Sequence, residues 1–207
     1  MKAVFGVLSV LSIILVQDAR PTLPEEAQRL GPKPVYLTRS LDRVLESLDS
    51  VIATTDVAFL GRVVQINAHL SADQKSIFTD YSIQPLRVIW PRPKEAPSAT
   101  RPGIQPQAAA YIVVERWGGT MTLGGVQVTQ EDSDLRAFRQ GEELILFLKF
   151  DKGKNKYSPV SPSSGIFYLE RGRIRSFLRD SDNLPVFDSV RGMTLDEFDV
   201  EVNRRSR

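Results

Sequence analysis

In two extended segments, 57–70 and 77–90, the apolar residues occupy one face of the chain at first and the opposite face farther along. The change falls at Gly61 in the first segment and at Pro85 in the second. A glycine or proline at such a change predicts a β-bulge or a sharp bend. One strand that serves two portions of a sheet is typical of a small closed barrel. The pattern consists of Val57, Phe59, Val64, Ile66, Ile77, Tyr81, Ile83, Leu86, Val88 and Trp90.

Further strands are predicted by apolar segments that are bounded by glycine-containing turns. The segment 144–150 is apolar on both faces, as in a central strand, and Phe138 is expected to anchor the loop before it. We therefore predict a mainly β fold, an OB-like closed barrel of five to six strands. The other supporting segments are 111–117, 121–128 with a Gly124-Gly125 turn, and 166–178 with an Arg171-Gly172 turn.

Amphipathic helices are predicted before and after the barrel. An apolar stripe recurs at helical spacing over 41–52, and Thr38 or Ser40 is expected to cap that helix. Near the carboxyl terminus, Thr194 and Glu197 have the spacing of a capping box. The short helix that follows would bury one apolar side, formed by Leu195, Phe198 and Val202.

The amino terminus has the composition of a targeting segment. Lys2 carries a positive charge, and 3–16 is an uncharged apolar run. Its length suits a secretory signal and falls short of the roughly 20 residues that a membrane-spanning helix needs. We predict a signal peptide at 1–19, cleaved before Arg20, and therefore a secreted or periplasmic protein. The alternative is an uncleaved anchor, and only in that case would the chain contact a membrane.

Proline content divides the remaining chain. Residues 20–37 are predicted to be an irregular, Pro-rich leader, 38–180 the barrel domain, and 181–207 an extension that contains the short helix. Within the barrel domain, 91–110 contains five prolines and few apolar side chains to bury. We expect this insertion to form a mobile protrusion.

The chain has no Cys, one His and a formal net charge of +2. The lack of Cys excludes disulfide scaffolds, Cys nucleophiles and Cys/His zinc sites, and the single His excludes a two-His metalloprotease helix. The balanced charge gives no indication of a nucleic-acid partner. We predict no cofactor, metal or catalytic set, which favours a non-enzymatic protein.

The residues that could carry chemistry have ordinary explanations. His69 is predicted to lie in a solvated turn between the first two strands. One group of carboxylates could supply a pair for glycoside cleavage and another could bind calcium, but neither group has a distinguishing spacing. The first group is Glu115, Glu142, Glu143 and Glu170, and the second is Glu131, Asp132 and Asp134.

Six basic residues form the candidate binding patch. Alternate residues of an extended chain share one face, so the three arginines of the last hairpin would point to one side. Such a patch would suit an acidic polymer or an acidic protein. The alternative is a solvated edge whose charges prevent aggregation. The residues are Arg171, Arg173, Arg175, Lys152, Lys154 and Lys156.

The order of these features resembles a known family. A helix precedes a strand that includes Phe59-Leu60-Gly61-Arg62-Val63, and Thr79-Asp80-Tyr81, the Gly-Gly hairpin and Phe138-Arg139-Gln140-Gly141-Glu142-Glu143 follow. Over roughly 41–178 the chain is similar to the OB-fold domain of tissue inhibitors of metalloproteinases and netrin modules, above all to bacterial secreted versions. The resemblance implies an OB fold and an extracytoplasmic setting. The animal inhibitors approach the protease zinc with an amino-terminal Cys, which this chain lacks, so that mechanism is not carried over.

These observations lead to one hypothesis with two alternatives. We expect a non-enzymatic, secreted or envelope-associated binding module whose partner is another extracytoplasmic protein, a protease among the candidates, or an acidic polymer. The first alternative is a hydrolase that uses carboxylates. The second is a structural cell-envelope protein held at the membrane by an uncleaved amino terminus.

Overall fold

A computed structural model describes residues 20–31, 33–39, 46–91, 111–162, 164–178 and 187–206. The fold is mainly β, as predicted. The helices are α1 (Leu23–Leu30), α2 (Leu48–Thr54) and α3 (Leu195–Arg205). The strands are β1 (Val35–Arg39), β2 (Val57–Leu70), β3 (Ile77–Trp90), β4 (Ile112–Trp117), β5 (Gly119–Leu123), β6 (Val126–Asp132), β7 (Glu143–Asp151), β8 (Lys156–Pro159), β9 (Ile166–Glu170) and β10 (Arg173–Ser176).

Two sheets contain these strands. The larger sheet has the order β10-β9-β7-β2-β3-β4-β8, and β8 also pairs with β7. Five strands, in the order β2-β3-β4-β8-β7, therefore form a ring of hydrogen-bonded neighbours. Within the ring β4 and β8 are parallel, and the other pairs are antiparallel. The smaller sheet has the order β1-β6-β5, with β1 parallel to β6.

The predicted irregularities at Gly61 and Pro85 are confirmed. These two residues are paired across β2 and β3, and the register shifts between Leu60 and Gly61. A Cβ atom on Gly61 would lie 2.5 Å from Cγ2 of Ile83, so the close approach of the strands requires glycine here. The change of face on β2 occurs farther along than predicted, because Val63 is still buried opposite Ile83, and Ile66, although 40% exposed, lies opposite the buried Tyr81. A further register shift between Val63 and Gln65 explains the difference.

The main core lies inside the ring and under the adjoining helices. The central strand β7 is confirmed, and its residues 144–148 are fully buried. Phe147 and Phe167 from the sheet meet Phe198 of α3 in edge-on or tilted ring contacts. Phe138 is buried as the predicted anchor of its loop, 4.6 Å from the ring centroid of Tyr81. Burial of large aromatic side chains is the main source of stability in such a core.

The predicted irregular leader was wrong for most of 20–37. Thr22 caps α1 through a reciprocal capping box with Glu25, and a proline in the first turn is compatible with a helix start. Strand β1 follows and completes the smaller sheet. These elements enclose a second apolar core, which comprises Leu23, Ala27, Val35, Ile77, Val126 and Val128. The amino-terminal segment is therefore an integral part of the fold.

Residues 48–52 of the helix predicted over 41–52 lie in α2, and 41–45 lie outside the described residues. Ser47 is its N-cap and accepts a hydrogen bond from the Ser50 amide, whereas Thr38, a predicted cap, lies in β1. The other predicted cap, Ser40, lies outside the described residues. Helix α3 begins with the predicted capping box of Thr194 and Glu197. It buries Phe198 and Val202, while Leu195 is only partly buried.

Both predicted hairpins are confirmed. Gly124 and Gly125 connect β5 and β6 with φ values of 57° and 84°, and Arg171 and Gly172 connect β9 and β10 with φ values of 51° and 76°. Positive φ at both turn residues suits two-residue β-hairpins. The predicted signal peptide, most of the 91–110 insertion and 179–186 lie outside the described residues. No helix in the described ranges combines the length and apolar character that crossing a membrane requires.

Candidate functional site

Three neighbouring strands bring His69, Asp80 and Glu115 together on the outer face of the ring. Asp80 of β3 lies opposite Glu115 of β4, and on its other side it lies opposite Asn67 of β2. His69 follows Asn67 by two residues and is on the same face of the strand. Each of the three side chains offers one possible ligand atom, and these three atoms all lie within 4.8 Å of one another.

The alternation of β3 explains why Asp80 faces outward. Thr79 and Tyr81 on either side of it are buried in the ring, so Asp80 projects away from the core. On β2, the register shift after Val63 places Gln65, Asn67 and His69 opposite even-numbered residues of β3. Without that shift His69 would belong to the opposite face, since one residue of slip exchanges the two faces of a strand.

His69 is held so that one ring nitrogen points into the cluster. Its Nδ1 is 3.1 Å from the carbonyl oxygen of Leu70, and its Nε2 lies 3.5 Å from Oδ1 of Asp80 and 3.8 Å from Oε2 of Glu115. Because a carbonyl oxygen only accepts hydrogen bonds, Nδ1 is the nitrogen that carries the proton in the Leu70 contact. Nε2 is buried and has no hydrogen-bond partner among the described residues. The ring of His69 also stacks on that of Phe78.

Two lysines balance the two carboxylates. Lys156 donates to both carboxylate oxygens of Asp80, at 2.9 and 2.7 Å, and its Nζ is 3.5 Å from Oε2 of Glu115. Lys154 pairs with the other oxygen of Glu115 and lies over the Phe78 ring. The hydrogen bond to Asp80 is the main cause of a raised pKa of Lys156. The lysines differ in exposure, since the side chain of Lys154 is 51% exposed and that of Lys156 is 27% exposed.

The structure corrects the prediction for His69. The residue lies within β2 rather than in the turn that follows, and its Nε2 is buried. Glu115 is the one residue of the predicted glycosidase group that joins it. Glu142 and Glu143 pair with Arg136 and Arg62, and Glu170 pairs with Arg175. The remaining predicted carboxylates therefore have structural ion-pair roles at separate places.

The three carboxylates considered for calcium, Glu131, Asp132 and Asp134, do not form a group that could share an ion among the residues that the structure describes. Asp132 is buried and accepts a hydrogen bond from the backbone amide of Asp134. Across the ranges that the structure describes, the cluster of His69, Asp80 and Glu115 is the one group of three His, Asp or Glu ligand atoms close enough to share an ion. Glu131 and its neighbours are not part of such a group.

The six residues of the predicted basic patch have different environments. Arg171 is exposed in the turn between β9 and β10. Arg173 donates to the Gly192 carbonyl and lies 3.8 Å from Glu197, and Arg175 donates to Glu170. Lys152 is exposed in the turn between β7 and β8, whereas Lys154 and Lys156 point to the carboxylates described above. Most of the patch is therefore paired with acidic groups.

Sequence reasoning did not single out Asp80. The alternation of apolar Ile77, Tyr81 and Ile83 around it indicates that Asp80 faces outward, and this signal was available. That Asp80 lies opposite Glu115 depends on the pairing of β3 with β4, which no local pattern specifies. No protein-family model matches the sequence, and no curated protein matches it significantly. The function therefore has to be argued from the geometry.

Proposed function

We propose that the chain is a non-enzymatic binding module, secreted or associated with the cell envelope, whose partner is another extracytoplasmic protein. The observation that carries the proposal is the concentration of ionisable and aromatic groups on the outer face of β3 and β4. His69, Asp80, Glu115 and Lys156 form a connected polar cluster there, and Phe78 lies beside it. An aromatic ring bordered by polar groups matches the arrangement of protein interfaces, in which aromatic residues are enriched and the rim is polar.

The order of the ring supports an OB-like barrel as the framework. Numbered one to five along the chain, the strands of the ring are β2, β3, β4, β7 and β8. Around the ring they follow the order one, two, three, five, four. OB folds bind ligands on the face of their second and third strands, between the first-to-second and fourth-to-fifth loops. The equivalent parts of this chain are β3 and β4, with the loops 71–76 and 152–155. The polar cluster lies on that face.

A hydrolase that uses carboxylates is less well supported. Asp80 and Glu115 are close together, but Nζ of Lys156 lies within 3.5 Å of oxygens from both. A glycosidase needs the space between its two carboxylates for the sugar and, in inverting enzymes, for water. Here a substrate would first have to displace a paired ammonium group. We therefore assign the two carboxylates a role in recognition.

A protein partner also fits the charges better than an acidic polymer. Lys154 and Lys156 are neutralised by Glu115 and Asp80, and Arg175 pairs with Glu170. Binding to a polyanion gains its strength from unpaired basic charge, which this arrangement reduces. The balance of charges instead favours a partner that offers both donors and acceptors.

The extracytoplasmic setting depends on the amino-terminal sequence. The apolar run at 3–16 has the length of a secretory signal. The resemblance to bacterial secreted relatives of metalloproteinase inhibitors points to the same setting, and to a protease as one class of partner. Contact with such a protease would use the β3–β4 face, because the zinc-chelating Cys of the animal inhibitors is missing from this chain.

Site-specific photo-crosslinking tests this proposal directly. The photoreactive residue benzoyl-phenylalanine is introduced in place of Asn67, which is exposed beside the cluster, in the cells that natively make the chain. A matched chain carries it in place of Arg171, which is exposed in the turn between β9 and β10. We expect a discrete protein adduct from position 67 that an excess of unlabelled chain suppresses. An adduct of equal yield from both positions, or none from position 67, would reject the β3–β4 face.

A further inference from the structure

Nε2 of His69 faces the carboxylates of Asp80 and Glu115 without a hydrogen-bond donor of its own among the described residues, although Lys154 and Lys156 pair with both carboxylates. In the tautomer that donates Nδ1–H to Leu70, Nε2 presents a lone pair. That lone pair is directed at oxygens of Asp80 and Glu115, which are also acceptors. Three acceptors that converge on one point, one of them buried and without a hydrogen-bond partner, form a typical environment for a cation.

We propose that His69, Asp80 and Glu115 bind a divalent transition-metal ion, with Zn²⁺ as the preferred species. A tetrahedral zinc ion with bonds of about 2.0–2.2 Å separates its ligand atoms by about 3.4 Å. Nε2 of His69 lies 3.5 Å from Asp80 Oδ1 and 3.8 Å from Glu115 Oε2, and all three ligand atoms lie within 4.8 Å of one another, so side-chain adjustment of about 1 Å would close the site around an ion. Imidazole and carboxylate together favour Zn²⁺ over Mg²⁺, which prefers an all-oxygen shell.

The surroundings supply the support that metal-binding histidines normally have. Such a His usually donates its second ring nitrogen to a carbonyl or carboxylate, which fixes the tautomer and the ring orientation. The Leu70 carbonyl occupies this position, and the Phe78 ring stacks against the imidazole. Three protein ligands leave a fourth position open to water or to a donor from a partner, as in zinc sites that are not purely structural.

Lys156 competes with the metal in this arrangement. Its ammonium group bonds both oxygens of Asp80 and approaches Glu115, so it neutralises the same carboxylates that the ion would use. Both lysine side chains reach solvent, Lys154 at 51% exposure and Lys156 at 27%, so entry of an ion would require them to turn outward. Removal of the Lys156 charge should therefore strengthen metal binding, whereas removal of a ligand should weaken it. Opposite effects of these two kinds of substitution on metal affinity distinguish a metal site from a simple ion-pair network.

The experiment uses the untagged full chain, titrated with Zn²⁺ alone by calorimetry and followed by nuclear magnetic resonance. Because the chain has one His, its imidazole signals report on His69 without ambiguity. We expect one equivalent of Zn²⁺ to shift the Nε2 resonance, while Mg²⁺ leaves it unchanged. Changes in the outer partners of metal ligands alone alter affinity about 10- to 100-fold. Glu115→Gln and His69→Ala should therefore weaken binding at least tenfold, and Lys156→Met should strengthen it.

Glu143→Gln is the matched control, because Glu143 is also a strand carboxylate paired with a basic residue but lies away from His69. It should bind Zn²⁺ as the parent chain does. Binding that is unaffected by Glu115→Gln, or a His69 signal that responds to pH but not to Zn²⁺, would overturn the metal site. The titration needs no partner protein, so its outcome is independent of the photo-crosslinking result.

Discussion

Oε1 of Gln130 accepts a hydrogen bond of 2.6 Å from the backbone amide of Ile77, and both residues are buried. This contact joins β6 of the smaller sheet to the first residue of β3 in the ring. Nε2 of the same side chain donates to the Lys75 carbonyl. One amide group thereby satisfies the backbone where the two sheets meet, a position where an unpaired polar group would be costly.

We expect Gln130→Leu to lower the free energy of unfolding by about 1–3 kcal/mol, because it leaves the buried Ile77 amide without its acceptor. Urea denaturation of both chains measures the difference. Gln127→Leu, at an exposed position of the same strand, serves as the control and should change stability by less than about 0.5 kcal/mol. Equal effects of the two substitutions would contradict a special role for Gln130.

Gly61→Ala tests the close packing at the bulge of β2. The new Cβ would lie 2.5 Å from Cγ2 of Ile83 and 2.7 Å from the Phe59 ring, both in the core. Overpacking of this kind costs about 1–3 kcal/mol, which thermal or urea unfolding would detect. Gly153→Ala is a suitable comparison, since its Cβ would only meet the end of the Asp151 side chain at 3.3 Å. A parent-like stability of Gly61→Ala would show that β2 and β3 can separate there.

Asp199→Asn should loosen the attachment of α3 to β3. The buried Asp199 carboxylate accepts from Arg87 at 2.6 Å and from Asn203 at 2.8 Å. We expect a loss of roughly 2 kcal/mol in the free energy of unfolding. Asp196 bonds the same Arg87, but its side chain is 83% exposed, so Asp196→Asn should cost less than about 0.5 kcal/mol. The idea fails if the exposed and buried substitutions are equivalent.

Glu201 gives a pH dependence of known sign. Hydrogen bonds from Arg204 and Arg205 lower its pKa from 4.5 to about 2 in the folded chain. A carboxylate with a lowered folded pKa stabilises the fold above the unfolded pKa and loses that contribution as the pH falls through the folded pKa. Glu201→Gln should therefore be less stable than the parent at pH 7, by less than about 1 kcal/mol, since Arg204 is 66% exposed and solvent screens its contact with Glu201.

The two chains should approach equal stability as the pH is lowered from about 4.5 to about 2. Urea denaturation at a series of pH values across this window measures the convergence. A difference that stays constant with pH would mean that Glu201 acts through packing and not through its charge.

Local patterns predicted those elements whose formation depends on neighbouring residues. The apolar run in β7, the Gly124-Gly125 turn and the Thr194–Glu197 capping box were all identified from spacing alone, and the structure contains them. The same capping-box spacing is present at Thr22 and Glu25, so α1 could have been recognised despite the adjacent proline. The OB-like arrangement and the secreted setting stay predictions.

Elements that depend on distant partners could not be predicted. Strand β1 is stabilised by parallel pairing with β6, and nothing in the segment that contains Val35 indicates that partner. The candidate site has the same difficulty, since it requires the pairing of β3 with β4. It also requires the register shift after Val63. Because Val63 and Val64 are adjacent valines, the sequence does not indicate which of the two lacks a partner on β3. Sequence periodicity therefore placed the change of face at Gly61 instead of after Val63, and placed His69 in a turn.

The parallel pairing of β1 with β6 also determines where the chain can be shortened. A chain that began at residue 38, the start of the domain as judged from sequence, would lack Val35, Tyr36 and Leu37. Strand β6 would then keep β5 as its neighbour on one side, and the backbone groups of Val128, Thr129 and Gln130 would form an open edge on the other side. Unpaired edges are templates for pairing with other chains. Such a truncated chain should self-associate, and an added peptide of sequence 33–39 should compete with that association.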